Sequence, residues 1–459
     1  MDQQKIEDLK QVVRGSVILS TDPEYDETRK IYNGNIDRKP ALFVMCSDVS
    51  DVIEAVNFGR NNSLQVAIRG GGHSGPGLGL CDDGLVIDLS NINYTRIDQN
   101  NQSVRVGGGC TWGDVDHATH AFGMAVPSGI ISTTGVGGLT LGGGTGYLTR
   151  KFGLTVDNLL EADMVLADGS VVTASKEENS DLYWAIRGGG GNFGIVTSFK
   201  FKLHPVHTVF GGPTLWSLEQ APEVMKWFSE FLKNSSEDLY GFFATLIVPP
   251  GPPFPEDLHL KNVCGVVWCY TGPEAAIGEV FKPIREFGPP IMDGTQPMPF
   301  PVLQTAFDAL YPPGLQWYWK GDYVEELSDE AIALHVKFAE KIPTWRSTMH
   351  LYPIDGAAHN ISDDAMAWNE RKARWSSVIV GVDDDPDKVG EITSWAKDYW
   401  EELHPYSTGG AYINFLMGDE GEGRVRATYG GNFDRLASIK QKYDPDNLFR
   451  VNHNISPAG

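Results

Sequence analysis

The sequence has few basic residues and no long apolar run, and each absence argues against a class of protein. Among its 459 residues, 37 are Lys or Arg and 60 are Asp or Glu, so the formal net charge is −23. Nucleic-acid-binding proteins usually carry a basic face, so we expect no nucleic-acid partner. No apolar run reaches the roughly 18 residues that a membrane helix needs, so we expect no membrane partner.

Cysteine is scarce, and no Cys-x-x-Cys pair occurs. An odd count of five argues against a disulfide scaffold and a zinc ribbon, and favours free, buried thiols in a reducing compartment. His117 and His120 lie three apart on a predicted helix, but no carboxylate-rich motif stands beside them, so we predict no metal site. The first residues lack the basic and apolar segments of a secretory signal, and we expect a cytoplasmic protein.

Glycine, in contrast, is abundant, and one glycine run carries a histidine. The run is Arg69-Gly70-Gly71-Gly72-His73-Ser74, directly after a predicted strand at 64–68. Glycines let the backbone approach a ligand closely, and their free N–H groups can form a nest for a phosphate or pyrophosphate. His73 could bond the ligand or serve as a hydrogen-bonded structural residue, and spacing alone does not separate the two roles. We interpret the run as a flavin loop.

A second glycine-rich tract covers residues 127–146, with seven glycines in its last twelve residues. Each glycine inside a helix costs about 1 kcal/mol relative to alanine. We therefore predict extended backbone here, lying flat against a large planar ligand.

Two other interpretations of these motifs are weaker. Gly189 to Gly194 matches the G-x-G-x-x-G pattern, but a predicted helix precedes it and a predicted strand follows it. A nicotinamide-dinucleotide site needs the reverse order. A serine hydrolase using Ser74 or Ser128 remains an alternative, although no G-x-S-x-G elbow is present.

The amino-acid composition of the chain changes near residue 206. Before it, predicted strands and helices alternate, as in an α+β or α/β domain with mixed sheets. After it, glycine thins out, and aromatic-rich strands are predicted together with amphipathic helices at 221–233 and 386–402. This composition is typical of a sheet covered by helices. We expect a last helix, ending before Asp444-Pro445, to return to the first domain.

The motifs together resemble the berberine bridge enzyme-like branch of the vanillyl-alcohol oxidase/p-cresol methylhydroxylase superfamily, in the bacterial type that includes 6-hydroxy-D-nicotine oxidase. The matching segments span nearly the whole chain in the family's order: 69–74, 127–146, 153–158, 182–197 and 452–454. The resemblance implies an α+β, two-domain flavoprotein. A PCMH-type FAD-binding domain of two α/β subdomains would occupy residues 1–205. A substrate domain, an antiparallel sheet covered by helices, would occupy residues 206–410. A C-terminal segment, residues 411–459, would return to complete the first domain.

The resemblance further implies a single covalent bond, 8α-histidyl, between FAD and His73. Several relatives have a second, cysteinyl bond at a position that Ile131 occupies here. The loop at 67–74 would bind the pyrophosphate, and Asn452 and Asn454 would approach the isoalloxazine. The remaining predicted FAD contacts are Arg69, Gly70, Gly71, Gly72, Ser74, Ser128, Gly129, Thr133, Thr134, Gly137, Gly138, Gly142, Gly143, Gly146 and Val196.

The implied activity is FAD-dependent oxidation of a small molecule, with hydride passing from a carbon that bears OH or NH to flavin N5. Oxidative cyclisation or amine oxidation in secondary metabolism is the alternative, and a non-catalytic flavin-binding protein is a third. O2 is a candidate electron acceptor, although a threonine at 134 leaves oxidase and dehydrogenase both open. The protein would be a monomer or a homodimer.

Two tyrosines are predicted to be catalytic. Tyr412, in Tyr412-Ile413-Asn414-Phe415, is our first choice for the base, since relatives with Tyr-x-Asn-Tyr use tyrosine there. Tyr352 is a possible partner, because strand alternation places it on the same face as His350. Where plant members have a glutamate base, this chain has Ser377, which cannot replace it.

Overall fold

The structure, a computed structural model, describes residues 2–459. Its N-terminal region, residues 2–203, contains ten strands and seven α-helices. The strands are β1 (Ser16–Leu19), β2 (Leu42–Met45), β3 (Val66–Arg69), β4 (Leu85–Asp88), β5 (Thr95–Asp98), β6 (Ser103–Gly107), β7 (Met124–Ala125), β8 (Leu159–Val165), β9 (Val171–Ser175) and β10 (Ile195–Lys202). The helices are α1 (Gln3–Val12), α2 (Tyr25–Thr28), α3 (Val49–Asn61), α4 (Trp112–His120), α5 (Val136–Leu141), α6 (Thr149–Phe152) and α7 (Ser180–Ile186).

Two sheets organise this region. A four-stranded sheet has the order β1-β2-β4-β3, in which β2, β4 and β3 run parallel and β1 is antiparallel to β2. A five-stranded antiparallel sheet has the order β5-β6-β10-β8-β9. Strand β3 ends at Arg69, so the glycine loop, defined here as residues 70–74, leaves the sheet at its carboxyl edge. Ligands of open sheets with parallel strands bind at that edge.

The middle region and the C-terminal tail (residues 411–459) contain the remaining elements. The strands are β11 (His204–Pro205), β12 (Thr208–Ser217), β13 (Leu239–Ile247), β14 (Asn262–Tyr270), β15 (Met292–Asp293), β16 (Gln296–Pro299), β17 (Gln316–Val324), β18 (Thr348–Pro353) and β19 (Trp375–Asp383). The helices are α8 (Ala221–Asn234), α9 (Ile277–Glu286), α10 (Phe300–Gln304), α11 (Asp329–Ala339), α12 (Val389–Leu403), α13 (Gly421–Tyr429) and α14 (Phe433–Tyr443).

One antiparallel sheet dominates the middle region, in the order β15-β12-β14-β13-β18-β19-β17, with β16 beside β12. Side chains alternate between its two faces along each strand. In β18, Met349 and Leu351 join the core beneath helices α8, α9, α11 and α12, whereas His350 and Tyr352 lie on the opposite face. The predicted alternation in this strand therefore matches the structure.

The prediction of extended backbone throughout 127–146 is wrong. Residues Val136–Leu141 form helix α5, with Gly135 as its N-cap. The Val136 N–H donates to the Cys110 carbonyl over 2.9 Å, and Val136 and Thr140 are fully buried. These tertiary contacts outweigh the roughly 1 kcal/mol that each glycine costs in a helix.

The tail packs against the N-terminal region. Lys440 in α14 is completely buried and donates to the Asn192 carbonyl at 2.6 Å, the Phe449 carbonyl at 2.9 Å and Asp444 at 2.6 Å. Burial lowers the pKa of Lys440, and the Asp444 carboxylate opposes that shift. The buried pair fixes the end of the helix against the 188–194 turn.

Within residues 2–459, no helix is both long and apolar enough to cross a membrane.

Candidate active site

The glycine loop, helix α5, the tail and the free face of the large sheet enclose a cavity of about 380 Å³. Segments far apart in the sequence thus meet around one space. The predicted site residues that line it are Arg69, Gly70, Gly71, Gly72, His73, Ser74, Gly129, Thr134, Gly137, Gly138, Val196, Tyr352, Tyr412 and Asn452.

The glycine loop presents free backbone donors to the cavity. None of the N–H groups of residues 70–74 donates to another group within residues 2–459. The loop also lies tight against the start of α5, since a Cβ on Gly71 would come within 2.4 Å of the Gly135 nitrogen. Gly72 has φ +68°, a conformation that favours glycine. Free N–H groups on a concave loop form an anion-binding nest.

Arg69 lines the same end of the cavity, but its charge is already paired. Its Nε forms a buried ion pair with Asp88, and its guanidinium carbon lies 5.0 Å from the centre of the Phe43 ring. Asp88 is also the acceptor for the Ser90 N–H at 2.9 Å. Arg69 therefore anchors the start of the glycine loop, and the loop backbone supplies the free donors.

His73 is held by aromatic stacking and by two threonine hydroxyls. Its ring stacks on Tyr32, with 3.8 Å between centroids and 17° between planes. Nε2 lies 3.0 Å from the Thr133 hydroxyl and Nδ1 lies 3.5 Å from the Thr134 hydroxyl. Burial lowers the pKa of His73 to about 3, so the imidazole is neutral at pH 7.

Tyr412 has a phenolic oxygen that accepts two hydrogen bonds. The Gly144 N–H donates to it over 2.9 Å, and the Asn414 amide donates over 2.7 Å. Burial raises the pKa of Tyr412 to about 12, and the two donors limit that rise because they stabilise the phenolate. Tyr412 lines the cavity, so a bound molecule can reach its phenolic oxygen.

Tyr352 is hydrogen bonded to His350 Nδ1 on the same strand. Burial raises the pKa of Tyr352 and lowers the pKa of His350 to about 3. The Phe415 ring connects the two tyrosines, with its centroid 4.9 Å from that of Tyr412 and 6.0 Å from that of Tyr352. Ser377 does not line the cavity, because strand alternation turns Val378 and Val380 toward it instead.

The hydrolase alternative finds no support in this geometry. The Ser128 hydroxyl accepts a hydrogen bond from Gln304 Nε2 at 2.6 Å, and the Ser74 hydroxyl accepts from the Leu78 N–H at 3.0 Å. Within residues 2–459, neither serine hydroxyl is hydrogen bonded to a histidine. The order of α7 and β10 around Gly189–Gly194 is also the reverse of a dinucleotide fingerprint.

The comparisons with known proteins agree with this geometry. Residues 40–175 match the family described as FAD binding domain, and residues 411–456 match berberine and berberine like. An FAD-linked oxidoreductase of Dictyostelium discoideum is 31% identical over 448 residues, covering 97% of this chain and 95% of the relative. The chain belongs to the berberine bridge enzyme-like FAD-linked oxidoreductases.

Two further proteins of this kind resemble the flavoprotein over its whole length. The (R)-6-hydroxynicotine oxidase of Paenarthrobacter nicotinovorans is 28% identical over 466 residues, covering 97% of this chain and 98% of the relative. A solved structure of glucooligosaccharide oxidase from Acremonium strictum, whose FAD has 6-S-cysteinyl and 8α-N1-histidyl links, superposes with a TM-score of 0.86 at 23% identity. It covers 99% of this chain and 100% of that one. The predicted family, the α+β flavoprotein fold and the class of enzyme are confirmed.

The residues present fit FAD. The glycine loop offers unpaired N–H groups where a pyrophosphate needs donors, and the buried Oδ1 atom of Asn452, which lines the cavity, has no partner within residues 2–459. Gly137 and Gly138 lie on the side of α5 that faces the cavity, and neither has a side chain to fill it. Such a surface accommodates a large planar group, although through a helix and not through the predicted extended backbone.

Six predicted FAD contacts do not line the cavity: Ser128, Thr133, Gly142, Gly143, Gly146 and Asn454. Thr133 stands behind His73, and Gly142 is packed so closely that a Cβ would lie 2.3 Å from Asn414 Oδ1. Gly143 faces Trp368, and Gly146 faces the Ser128 carbonyl. Direct contact of these six residues with FAD stays a prediction.

Sequence reasoning missed several residues that line this flavin cavity. Tyr32 lies in a segment without a recognisable motif, and its stacking on His73 has no local signal. Trp317 and Trp319, in one of the aromatic-rich strands, also line the cavity. Their alternate positions in one strand, each on the face of His350, were the available signal.

His120, one of the two histidines three apart on α4, contacts a histidine of another segment. His120 stacks on His207, with 4.3 Å between ring centroids. Within residues 2–459, no group of three or more His, Cys, Asp or Glu side chains could hold a metal ion. All five cysteines are buried, and none of these thiols lines the cavity.

Proposed function

We propose that this flavoprotein oxidises a small molecule at a carbon bearing OH or NH, that His73 carries FAD through one covalent 8α-histidyl bond, and that Tyr412 accepts the substrate proton. The observation that carries the proposal is that a neutral imidazole and a doubly hydrogen-bonded phenol line one cavity. FAD, when bound, accepts the hydride at N5.

The surroundings of His73 support a bond through Nδ1. A ring nitrogen bonds carbon through a free lone pair, and burial keeps the imidazole neutral by lowering its pKa to about 3. The Thr133 hydroxyl lies 3.0 Å from Nε2, whereas the Thr134 hydroxyl is 3.5 Å from Nδ1. Nδ1 is thus the less strongly bonded nitrogen. A single link follows because Ile131, and no cysteine of residues 2–459, lines the cavity.

Tyr412 is the proposed base because its environment stabilises negative charge on its oxygen. Two N–H donors, from Gly144 and Asn414, point at that atom. Tyr412 acts as its phenolate, which these donors stabilise against the penalty of burial. The substrate hydroxyl donates to the same oxygen, and its proton moves to Tyr412 to give the neutral phenol. Within residues 2–459, the Tyr352 hydroxyl has one hydrogen-bond partner, His350 Nδ1 on the same strand, and this bond supports an orienting role.

Several finer points belong to the same proposal. We place the domain boundaries at 205/206 and 410/411, on either side of the region that contributes the large sheet. O2 is the proposed electron acceptor, in keeping with the naming of a relative as an oxidase. A cytoplasmic location and a monomeric or dimeric state complete it.

The decisive experiment looks for the covalent adduct. Protein purified from a flavin-replete host is precipitated with acid, digested with trypsin and analysed by mass. The peptide 70–96 should carry one FAD, and the pellet should stay yellow. His73→Ala should release all flavin into the supernatant, whereas the exposed His117→Ala should behave as wild type. An unmodified 70–96 peptide in the wild-type digest would contradict the proposed link.

A second experiment tests oxidation and the use of O2. Substrate added without air should bleach the flavin absorbance, and admission of air should restore it.

A further inference from the structure

The cavity has no unpaired charged side chain to offer a substrate. Among residues 2–459, Arg69 is the one Lys, Arg, Asp or Glu that lines the cavity, and it is paired with Asp88. The three lining histidines are neutral, because burial lowers the pKa of His73 and His350 to about 3 and that of His453 to about 4. A charged molecule leaving water for this space would find no counter-charge, which is strongly unfavourable.

Aromatic rings form most of the wall opposite the glycine-rich surface. They are Phe307, Tyr311, Trp317, Trp319, Tyr352 and Phe415. Trp317 lies 5.4 Å from Tyr311 and 5.9 Å from Trp319, measured between ring centroids. Val378 and Val380 fill the sheet face between them. Such walls favour flat, apolar molecules, through area burial and ring stacking.

The polar groups on this wall are few, and two of them, the indole N–H groups of Trp317 and Trp319, have no partner within residues 2–459. The others are already bonded. Thr348 donates to the Thr245 carbonyl at 2.9 Å, His350 and Tyr352 bond each other, and Asn414 donates to Tyr412. A molecule with many hydroxyl groups would therefore leave most of them without partners, which costs binding energy for each one. One or two hydroxyls near Tyr412 can be satisfied.

We propose that the substrate is an uncharged alcohol with a flat, largely apolar body, and that ammonium, carboxylate and oligosaccharide compounds bind poorly. This inference rests on the proposed function, and it narrows that function to CH–OH chemistry on a neutral molecule. Tyr412 and Asn414 would receive the hydroxyl end, and Trp317 and Trp319 the flat body.

Shape-matched compounds that differ in charge test this inference. The holoenzyme is titrated anaerobically with para-methylbenzyl alcohol, para-(hydroxymethyl)benzoate, para-(aminomethyl)benzyl alcohol and cellobiose, and the flavin spectrum reports binding and bleaching. We expect the neutral aromatic alcohol to bind at least about 100-fold more tightly than the other three. Equal or tighter binding of a charged analogue or of cellobiose overturns the inference, as does the absence of any spectral response to the neutral alcohol.

A pair of tryptophan variants tests the aromatic wall separately. Trp319→Leu should weaken binding of para-methylbenzyl alcohol about tenfold while flavin content stays at the wild-type level. Trp345→Leu is the matched control, since Trp345 lies outside the cavity. Unchanged affinity in the Trp319 variant counts against the inference. The proposed function fails differently: it fails if the purified protein carries no flavin, whereas a yellow protein that oxidises cellobiose contradicts this inference alone.

Discussion

The side-chain amide of Asn414 donates a hydrogen bond to the phenolic oxygen of Tyr412 over 2.7 Å. Tyr412 is the N-cap of a short 3-10 helix, Ile413–Phe415, and Asn414 is the middle residue of that helix. Because the Gly144 N–H reaches the same oxygen at 2.9 Å, the phenolate form of Tyr412 is stabilised from two sides. Burial still raises the pKa of Tyr412 to about 12. Both donors therefore matter, because each increases the fraction of Tyr412 that is phenolate at a given pH.

Tyr412→Phe should slow flavin reduction by a factor of about 10² to 10⁴, the usual contribution of a general base. Flavin content should not change, since the ring that packs against Phe415 is kept. Stopped-flow absorbance under anaerobic conditions measures the rate. Tyr240→Phe is the control, because Tyr240 is fully buried, its hydroxyl has no partner within residues 2–459, and it does not line the cavity. Equal rates in wild type and Tyr412→Phe would remove Tyr412 from the mechanism.

Asn414→Ala should raise the pKa of Tyr412 further, because the phenolate loses one donor. A hydrogen bond to a charged group contributes about 1.5–3 kcal/mol, so reduction near pH 7 should slow about tenfold or more. The sign follows from the acid: a higher pKa moves the rise of the reduction rate to higher pH. The rate is measured from pH 6 to pH 10 in both proteins. An unchanged limiting rate of reduction together with a higher substrate dissociation constant would assign Asn414 to substrate binding instead.

Gly71→Ala should reduce the flavin content of the purified protein. Its Cβ would lie 2.4 Å from the nitrogen and 2.5 Å from the Cα of Gly135, so backbone must shift, at a cost of about 1–3 kcal/mol. That shift disturbs the glycine loop and the start of α5 together. The ratio of visible to ultraviolet absorbance reports flavin per protein. Gly278→Ala, where a Cβ meets nothing within 4 Å, serves as the control. Full flavin content in Gly71→Ala would show that the loop tolerates displacement.

His335→Gln should weaken the acid sensitivity of the fold. Burial lowers the pKa of His335 to about 3, whereas an unfolded histidine has a pKa of about 6.5. The folded state therefore resists protonation, and stability that is present above pH 6.5 is lost as the pH falls toward 3. Between pH 6.5 and pH 5 the loss from this residue is about 1–2 kcal/mol.

Melting temperatures at pH 7.5 and pH 5 test the histidine prediction. The difference between the two pH values should be smaller in His335→Gln than in wild type, whereas the exposed His117→Gln should keep the wild-type difference. An identical difference in all three proteins would mean that His335 is protonated equally in both states.

Several features of the site follow from local sequence patterns. Alternation along β18 placed His350 and Tyr352 on one face correctly, because successive side chains of a strand point to opposite sides wherever the strand lies. The same local reasoning failed in the 127–146 tract. Propensity argued against a helix there, and packing of Val136 and Thr140 against distant residues produced α5.

The sequence by itself determined the glycine loop after a strand, the histidine within it, the Tyr-x-Asn motif and the flavoprotein family, because each depends on residue types at short, fixed spacing. Only the tertiary structure decided that Tyr32 stacks on His73, that Asp88 takes the charge of Arg69, and that Gly71 meets Gly135. Such pairs are separated by 19 to 64 positions in the chain, and hydrogen bonding, stacking and close approach over that separation arise only when the folded backbone brings the partners together.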